Sequence, residues 1–411
     1  MNSRRIVIVG GGAAGFFAAI TAAEATPDAQ VTLLERGAQV LAKVRISGGG
    51  RCNVTHDCFD PREFTNRYPR GSKALIGPFQ RFQARDTVAW FAERGVKLKT
   101  ENDGRMFPVT DSSATIVDCL TNAAQRAGVI VRMNCGVEAV RRNEASFELT
   151  LSTGEKLEAD RLLLATGGCR AAAAGQIAAA LGHTIEPPVP SLFTLQIALP
   201  WLNGLAGASV EVAEVSVPDT DLRERGPVLV THWGLSGPAV LRLSAWGARE
   251  LHELNYHFPL RVNWLAEFTS EKLAAEMQAR RQTQGAKLVV NAPIAPLSAR
   301  LWEALVLAAG LGREARWAAL TRAQQQQLTQ QLTRTEFAVT GKSLNKDEFV
   351  TCGGVKLAEV NFKTMESKLC PGLHFAGELL DIDGITGGFN FQAAWTTGWI
   401  AGNAMAAGSK T

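Results

Sequence analysis

The chain has 411 residues, too many for one small core, so two or three domains are expected. Its 46% hydrophobic and 20% charged residues are those of a soluble globular protein, and a net charge of only +4 gives no strong field to recruit nucleic acid or an anionic membrane, although a shallow local basic patch stays open. Seven cysteines, odd in number and irregularly spaced, read as reduced thiols in a cytoplasm; the first strand starts too near Met1 for a signal peptide, and no apolar run approaches the ~20 residues of a membrane span.

The apolar run Ile6 to Val9 leads into Gly10-Gly11-Gly12-Ala13-Ala14-Gly15, a G-x-G-x-x-G turn between a strand and a helix. Gly10 permits the tight turn, Gly12 lets backbone approach a pyrophosphate, and Gly15 lets helix and strand pack closely; the N–H groups and helix dipole at Ala13 and Ala14 then face the phosphates. Helix Ala13 to Ala25 feeds a second strand, Gln30 to Leu34, that ends at Glu35, an acceptor placed for a ribose diol. Next, Gln39 to Thr55 contains Ser47-Gly48-Gly49-Gly50-Arg51-Cys52-Asn53. Three consecutive glycines between polar and cationic residues predict a backbone loop, not a regular element, able to press against a flat or anionic ligand.

Helical patterns at Asp86 to Arg94 and Ser113 to Ala127 alternate with strands at Val96 to Thr100 and Val129 to Met133, which continues an α/β layer. Gly136 to Ala159 reads as an antiparallel meander that returns into a strand ending Ala165-Thr166-Gly167-Gly168. A meander used as that crossover resembles the glutathione-reductase type of FAD-binding domain: α/β, Rossmann-like, with a parallel sheet. Pro187-Pro188-Val189-Pro190 marks a boundary. The expected organisation is a discontinuous FAD-binding domain of residues 1–190 and 341–411, interrupted by a substrate or cap domain of residues 191–340, β-rich over 191–265 and mainly helical over 266–340. The insertion has no second G-x-G-x-x-G, so no dedicated nicotinamide domain is expected. The last segment has a strand ending Gly377-Glu378, then Asp383 and Gly387-Gly388-Phe389-Asn390, then an apolar helix from Gln392 to Ala406. Strand, acid, glycine loop and helix N-terminus suit the ribitol and ring of a flavin.

These segments, with Phe107-Pro108-Val109, Thr231-His232-Trp233-Gly234-Leu235-Ser236-Gly237-Pro238 and Thr351 to Val355, resemble over nearly the whole chain a bacterial family of NAD(P)/FAD-dependent oxidoreductases. That family includes an aminoacetone oxidase and flavoproteins of bile-acid-inducible operons. The resemblance implies FAD as cofactor, with Arg36, Lys43 and Val137 joining the residues above as cofactor-binding candidates. It does not fix the substrate. The flavin donor is either NAD(P)H, as co-substrate, or a small organic substrate such as an amine; dioxygen or a second substrate reoxidises the ring. The rival reading is a flavin-dependent RNA-modification or RNA-binding protein, and the near-neutral charge argues against nucleic acid as a partner.

Catalytic candidates are Arg51, Cys52, Asn53 and His232. Arg51 offers a planar cation to an anionic group, and Asn53, like Asn390, can donate and accept at the edge of a ring. Cys52 and Cys58 are spaced one residue wider than the redox disulfide of glutathione-reductase enzymes and are read as thiols, with Cys52 alone able to touch the ring. His232 either assists proton movement over the flavin or orders its loop through backbone bonds. No metal-ligand spacing and no G-x-S-x-G elbow are present.

Overall fold

The computed structural model describes residues 3–169, 172–198, 200–343 and 350–407. The chain divides into two compact units, residues 1–190 with 346–411 and residues 191–345; the second junction, within 344–349, lies outside the described residues.

The first unit is organised on a seven-stranded sheet whose five parallel strands are centred on β1 (Arg5–Val9). β1 pairs in parallel with β2 (Gln30–Leu34) on one side, Ile6 opposite Val31, and with the strand Arg161–Leu164 on the other, Ile6 opposite Arg161. Leu373–Phe375 and Ile130–Arg132 extend the parallel run, and two short antiparallel strands, Val360–Asn361 and Glu366–Ser367, finish one edge. Strands covered on both faces need continuous apolar runs. Ile6, Ile8, Leu33, Leu162, Leu163 and Leu164 accordingly have no exposed surface, and each such side chain contributes roughly 1.5–3 kcal/mol by leaving water.

Helix α1 (Ala13–Ala25) lies against the C-terminal helix Phe389–Ala406 through small residues. A Cβ on Gly398 would stand 2.5 Å from Ala14 O, and one on Gly402 would stand 2.6 Å from Ala18 O, so the two backbones approach as closely as glycine allows.

The meander Val137–Arg142, Phe147–Leu151 and Lys156–Ala159 forms a separate antiparallel sheet, as its turns predict. Another expectation needs correction. Leu98–Thr100 does not continue the α/β layer: it pairs antiparallel with Arg105–Pro108, which pairs with Thr55–His56. Only three residues long and followed at once by a turn, it has no crossover that could bring it parallel to β2.

In the second unit a closed six-stranded barrel takes strands from both halves of the sequence: Thr194–Ile197, Ser209–Ser216, Arg223–Val230, Gly234–Ser236, Phe258–Asn263 and Thr335–Ser343. The last closes it, pairing with both Phe258–Asn263 and Thr194–Ile197. The β-rich stretch also contains helices at Pro238–Trp246 and Ala248–Glu253, the first opened by Pro at its first position, where the missing N–H costs nothing. Ser270–Thr283, Ala299–Ala308 and Arg322–Thr333 are helical. Among the described residues no helix is long and apolar enough to cross a membrane, and no group of three or more His, Cys, Asp or Glu could hold a metal ion.

Candidate functional site

Four glycine segments of the first unit meet at the C-terminal ends of the parallel strands. Gly10 has φ +115°, and a Cβ there would lie 2.3 Å from Ala165 O, so only glycine lets β1 end beside the strand Arg161–Leu164. A Cβ on Gly15 would meet Gly10 O at 1.9 Å. Gly12 differs, because its Cβ position has no atom within 4 Å. It starts α1 with no side-chain cap and no acid in the first turn, which leaves the N–H groups near Ala13 and Ala14 and the positive end of the dipole for a ligand.

Glu35, at the end of β2, is held by the same turn: Gly11 N donates to Oε2 at 2.8 Å and Gly37 N to Oε1 at 2.7 Å. Arg36 is exposed, and its Cγ lies 3.2 Å from where a Cβ on Gly136 would be, next to buried Val137.

The stretch after Leu41 is partly helical, contrary to the expected loop. α2 (Ala42–Gly50) begins after Leu41, whose N–H bonds Gly11 O at 2.8 Å, and it buries Val44. Its helical geometry breaks at Ser47 (ψ 150°), and Gly48, Gly49 and Gly50 follow at φ +59°, +70° and +83°. Cβ positions on Gly49 and Gly50 would meet nothing within 4 Å. Lys43 extends from α2 to Glu378, Nζ to Oε2 2.6 Å, while Glu378 Oε1 accepts from Thr351 N at 2.8 Å.

Arg51 stacks over Phe107 at 4.0 Å, donates to Glu101 at 2.6 Å and lies 3.6 Å from Asp111. Cys52 is wholly buried at φ +62°, and burial pushes its thiol up to about 12, so it keeps its proton at neutral pH. It forms no disulfide, and neither does Cys58. The Asn53 amide, turned so that its nitrogen donates to Thr55 O, accepts Gly388 N on its oxygen, both at 3.0 Å. Asn390 exchanges two 2.8 Å bonds with the backbone of Gly384. Both amides thus position the loop that leads into the C-terminal helix. That helix starts after Gly387 (φ +130°) and Gly388 (φ +93°), has no acid in its first turn, and begins at Phe389, which stacks on His56 at 4.7 Å. His56 Nδ1 lies 3.0 Å from Gly387 O, and burial lowers its pKa.

Asp383 points to Arg70, with which it forms a buried ion pair. His232 lies in the second unit, exposed in the turn between Arg223–Val230 and Gly234–Ser236.

Sequence reasoning missed Arg70, Tyr68, Thr397 and Gln392. Tyr68 is buried and its hydroxyl donates to Phe389 O at 2.6 Å; Thr397 Oγ1 accepts Gly377 N at 2.9 Å; Gln392 Oε1 accepts from Thr55 and Thr87. Of these only Tyr68 carried a signal, being one of two tyrosines in the chain.

The constellation fits FAD on two structural grounds. Thr166 Oγ1 is buried with no hydrogen-bond partner among the described residues, at the strand end beside Gly10. Gly12, Gly49, Gly50 and Gly167 have Cβ positions that face no protein atom within 4 Å, so the backbone itself forms the cradle.

A sequence profile of the HI0933-like protein Rossmann domain family matches residues 4–404. The chain is 29% identical over 410 residues to a 3-dehydro-bile acid delta(4,6)-reductase of Clostridium scindens, covering 98% of this chain and 99% of that one. It is 31% identical over 407 residues to a ribosomal RNA dihydrouridine synthase of Escherichia coli, covering 96% of each. In fold it is similar to the open conformation of a flavocytochrome c3 fumarate reductase, with a TM-score of 0.51, 19% identity and coverage of 98% of this chain and 78% of that one. The chain belongs to the HI0933-like family, and with it to the FAD-dependent oxidoreductases built on this Rossmann-type domain.

Proposed function

We propose that the protein is an FAD-dependent reductase that saturates a carbon–carbon double bond conjugated to a carbonyl, with NADH or NADPH as electron source. The observation that carries this reading is the N-terminus of the helix Phe389–Ala406, free of acids and joined to the Gly48–Gly50 turn through Asn53. Free N–H groups and the positive dipole end favour negative charge, and reduced flavin carries that charge near N1 and the C2 carbonyl. Bound FAD supplies the hydride chemistry, and the chain supplies position and charge. α1 and Gly12 would hold the pyrophosphate, Glu35 a ribose diol, Lys43 and Glu378 the ribitol side, and Arg51 would keep the glycine turn in place from its seat on Phe107.

The acceptor class rests on chemistry that two relatives' names share. A delta(4,6)-reductase acting on a 3-dehydro steroid and a dihydrouridine synthase both saturate a ring double bond conjugated to a carbonyl. Substrate selection is assigned to the inserted barrel unit, which carries no nucleotide motif, with His232 as its candidate for proton movement, and a cytoplasmic location suits the scattered cysteines. A second reading, in which the reduced ring is a uracil in RNA, is favoured by one observation: the 31% identity over 407 residues to a ribosomal RNA dihydrouridine synthase.

The test is anaerobic. NADH or NADPH should bleach the yellow protein, and a conjugated enone should restore its colour. Bleaching by amines alone, or recolouring by dioxygen alone, would overturn the reading in favour of an oxidase.

A further inference from the structure

Trp233 is the most exposed large apolar side chain among the described residues, at 68%, whereas Trp264, Trp302, Trp317 and Trp395 are wholly buried. It follows His232 at the tip that joins the barrel strands Arg223–Val230 and Gly234–Ser236. Among the described residues its indole meets no ring or cation, and its Nε1 donates to no acceptor.

The backbone beneath this indole is fixed. Thr231 N donates to Gly234 O at 2.8 Å, Trp233 N donates to Thr231 Oγ1 at 3.3 Å, and Trp233 O accepts from Ile197 N at 2.9 Å. Gly234, at φ +150°, closes against the neighbouring strand, where a Cβ would stand 2.2 Å from Leu195 O. An indole left in water forgoes the burial that stabilises the other tryptophans, so core packing does not account for this one. Nor does it belong to a contiguous apolar patch of the kind a protein partner covers. Thr231 and His232 before it are polar, Gly234 and Leu235 after it are buried, and the other exposed apolar side chain of the hairpin, Leu229, is four residues away. What the tip presents is one rigid aromatic face, with only two side-chain torsions to order on contact.

We propose that Trp233 recognises the acceptor by stacking on the flat face of its conjugated ring, and so selects ring over acyclic acceptors and substrate over saturated product. The inference rests on the reductase reading for a ring as acceptor; the exposed, fixed indole supplies the contact. A ring double bond conjugated to a carbonyl holds its atoms near one plane, which suits offset stacking on an indole. Reduction makes two of those carbons tetrahedral. Hydrogens then project from the face and the ring puckers, so the product loses the contact that held the substrate.

The test measures dissociation constants by equilibrium dialysis with oxidised, FAD-loaded protein. The probes are uridine, androsta-4,6-diene-3,17-dione, the ring-saturated counterpart of each, and acyclic 3-penten-2-one. Trp233→Ala should weaken the flat ring that wild type binds by about tenfold or more, and Trp233→Phe, which keeps an aromatic face, by less than about threefold. Trp246→Ala, which removes another exposed indole of the same unit, should also change it by less than about threefold. Wild type should hold the flat ring about tenfold tighter than its saturated counterpart and than 3-penten-2-one, and Trp233→Ala should bring both ratios near one. FAD content and melting temperature of the Trp233 variants should match wild type. Unchanged affinity or unchanged ratios in Trp233→Ala, or no binding of either flat ring, would overturn the proposal. So would loss of self-association alone in sedimentation of Trp233→Ala, which would assign the indole to a protein contact. Ring binding that depends on Trp233, with no ring able to reoxidise reduced flavin, would leave this contact standing and remove only the reductase reading; reoxidation by a ring that Trp233→Ala still binds normally would do the reverse.

Discussion

Arg70 and Asp383, 313 residues apart in sequence, form an ion pair in which Arg70 Nε donates to Asp383 Oδ1 at 2.6 Å and the carboxylate has no exposed surface. Around it, Ile385 N donates to Arg67 O and a Cβ on Gly71 would meet Ile382 at 2.5 Å, so residues 67–71 clamp the loop that leads into the C-terminal helix.

Breaking one side of such a pair leaves a buried charge without its partner, at a cost of about 3–5 kcal/mol. Arg70→Ala should therefore lower the melting temperature markedly and speed FAD loss. Arg70→Leu with Asp383→Leu should recover much of the stability but not FAD retention, as differential scanning fluorimetry and flavin release will show. Equal instability of the single and double variants would contradict this.

Thr166 offers the cleanest separation of cofactor from fold. An unpaired buried hydroxyl costs about 1–3 kcal/mol, so Thr166→Val should leave the apoprotein as stable or more stable. FAD affinity should fall by roughly three- to tenfold, the worth of about one hydrogen bond. Isothermal titration of apoprotein measures it; unchanged affinity would mean that Thr166 Oγ1 does not meet the cofactor.

Two glycines should respond oppositely to the same substitution. Gly12→Ala adds a methyl where no protein atom stands, so the apoprotein should fold normally and retain little FAD. Gly398→Ala drives a methyl into Ala14 O and should destabilise by about 1–3 kcal/mol despite alanine's better helix propensity. Thermal melts of the two apoproteins distinguish them.

What the sequence revealed and what it hid divide by contact range. β1, the turn, α1 and β2 were legible because each is fixed by neighbours within a few residues: continuous apolar runs, obligatory glycines, an acid at the strand end. The meander was legible for the same reason. Arg70, Tyr68 and Thr397 were not, since Arg70 and Tyr68 find their partners more than 300 residues away and Thr397 bonds an amide 20 residues back in another element. Thr335–Ser343 was read within a helical stretch because its role in closing the barrel depends on strands far earlier in the chain. Asn53 and Asn390 were expected at the ring's edge because each ends or follows a glycine run and can donate and accept; in the structure their oxygens take backbone amides of the loop.

His374 predicts an acid-side stability loss. It is 2% exposed in the strand Leu373–Phe375, and burial, partly offset by Glu366, lowers its pKa from 6.5 to about 4. The folded pKa is depressed, so between pH 6.5 and 4 the unfolded chain binds the extra proton. Stability from this group is complete above pH 6.5 and declines as pH falls, by roughly 3 kcal/mol at most. His374→Gln should flatten the melting temperature between pH 7 and 4.5 relative to wild type; an unchanged pH dependence would refute the assignment.

The oxidative half-reaction separates an enone reductase from an oxidase. The protein, loaded with FAD and reduced anaerobically by NADPH or dithionite, is mixed in a stopped-flow instrument with a conjugated cyclic enone or with uridine-containing RNA. The flavin absorbance should return without dioxygen, and mass spectrometry should find an acceptor heavier by two hydrogens, one from the flavin and one from solvent. Flavin that stays reduced until air is admitted, with the acceptor unchanged, would contradict it.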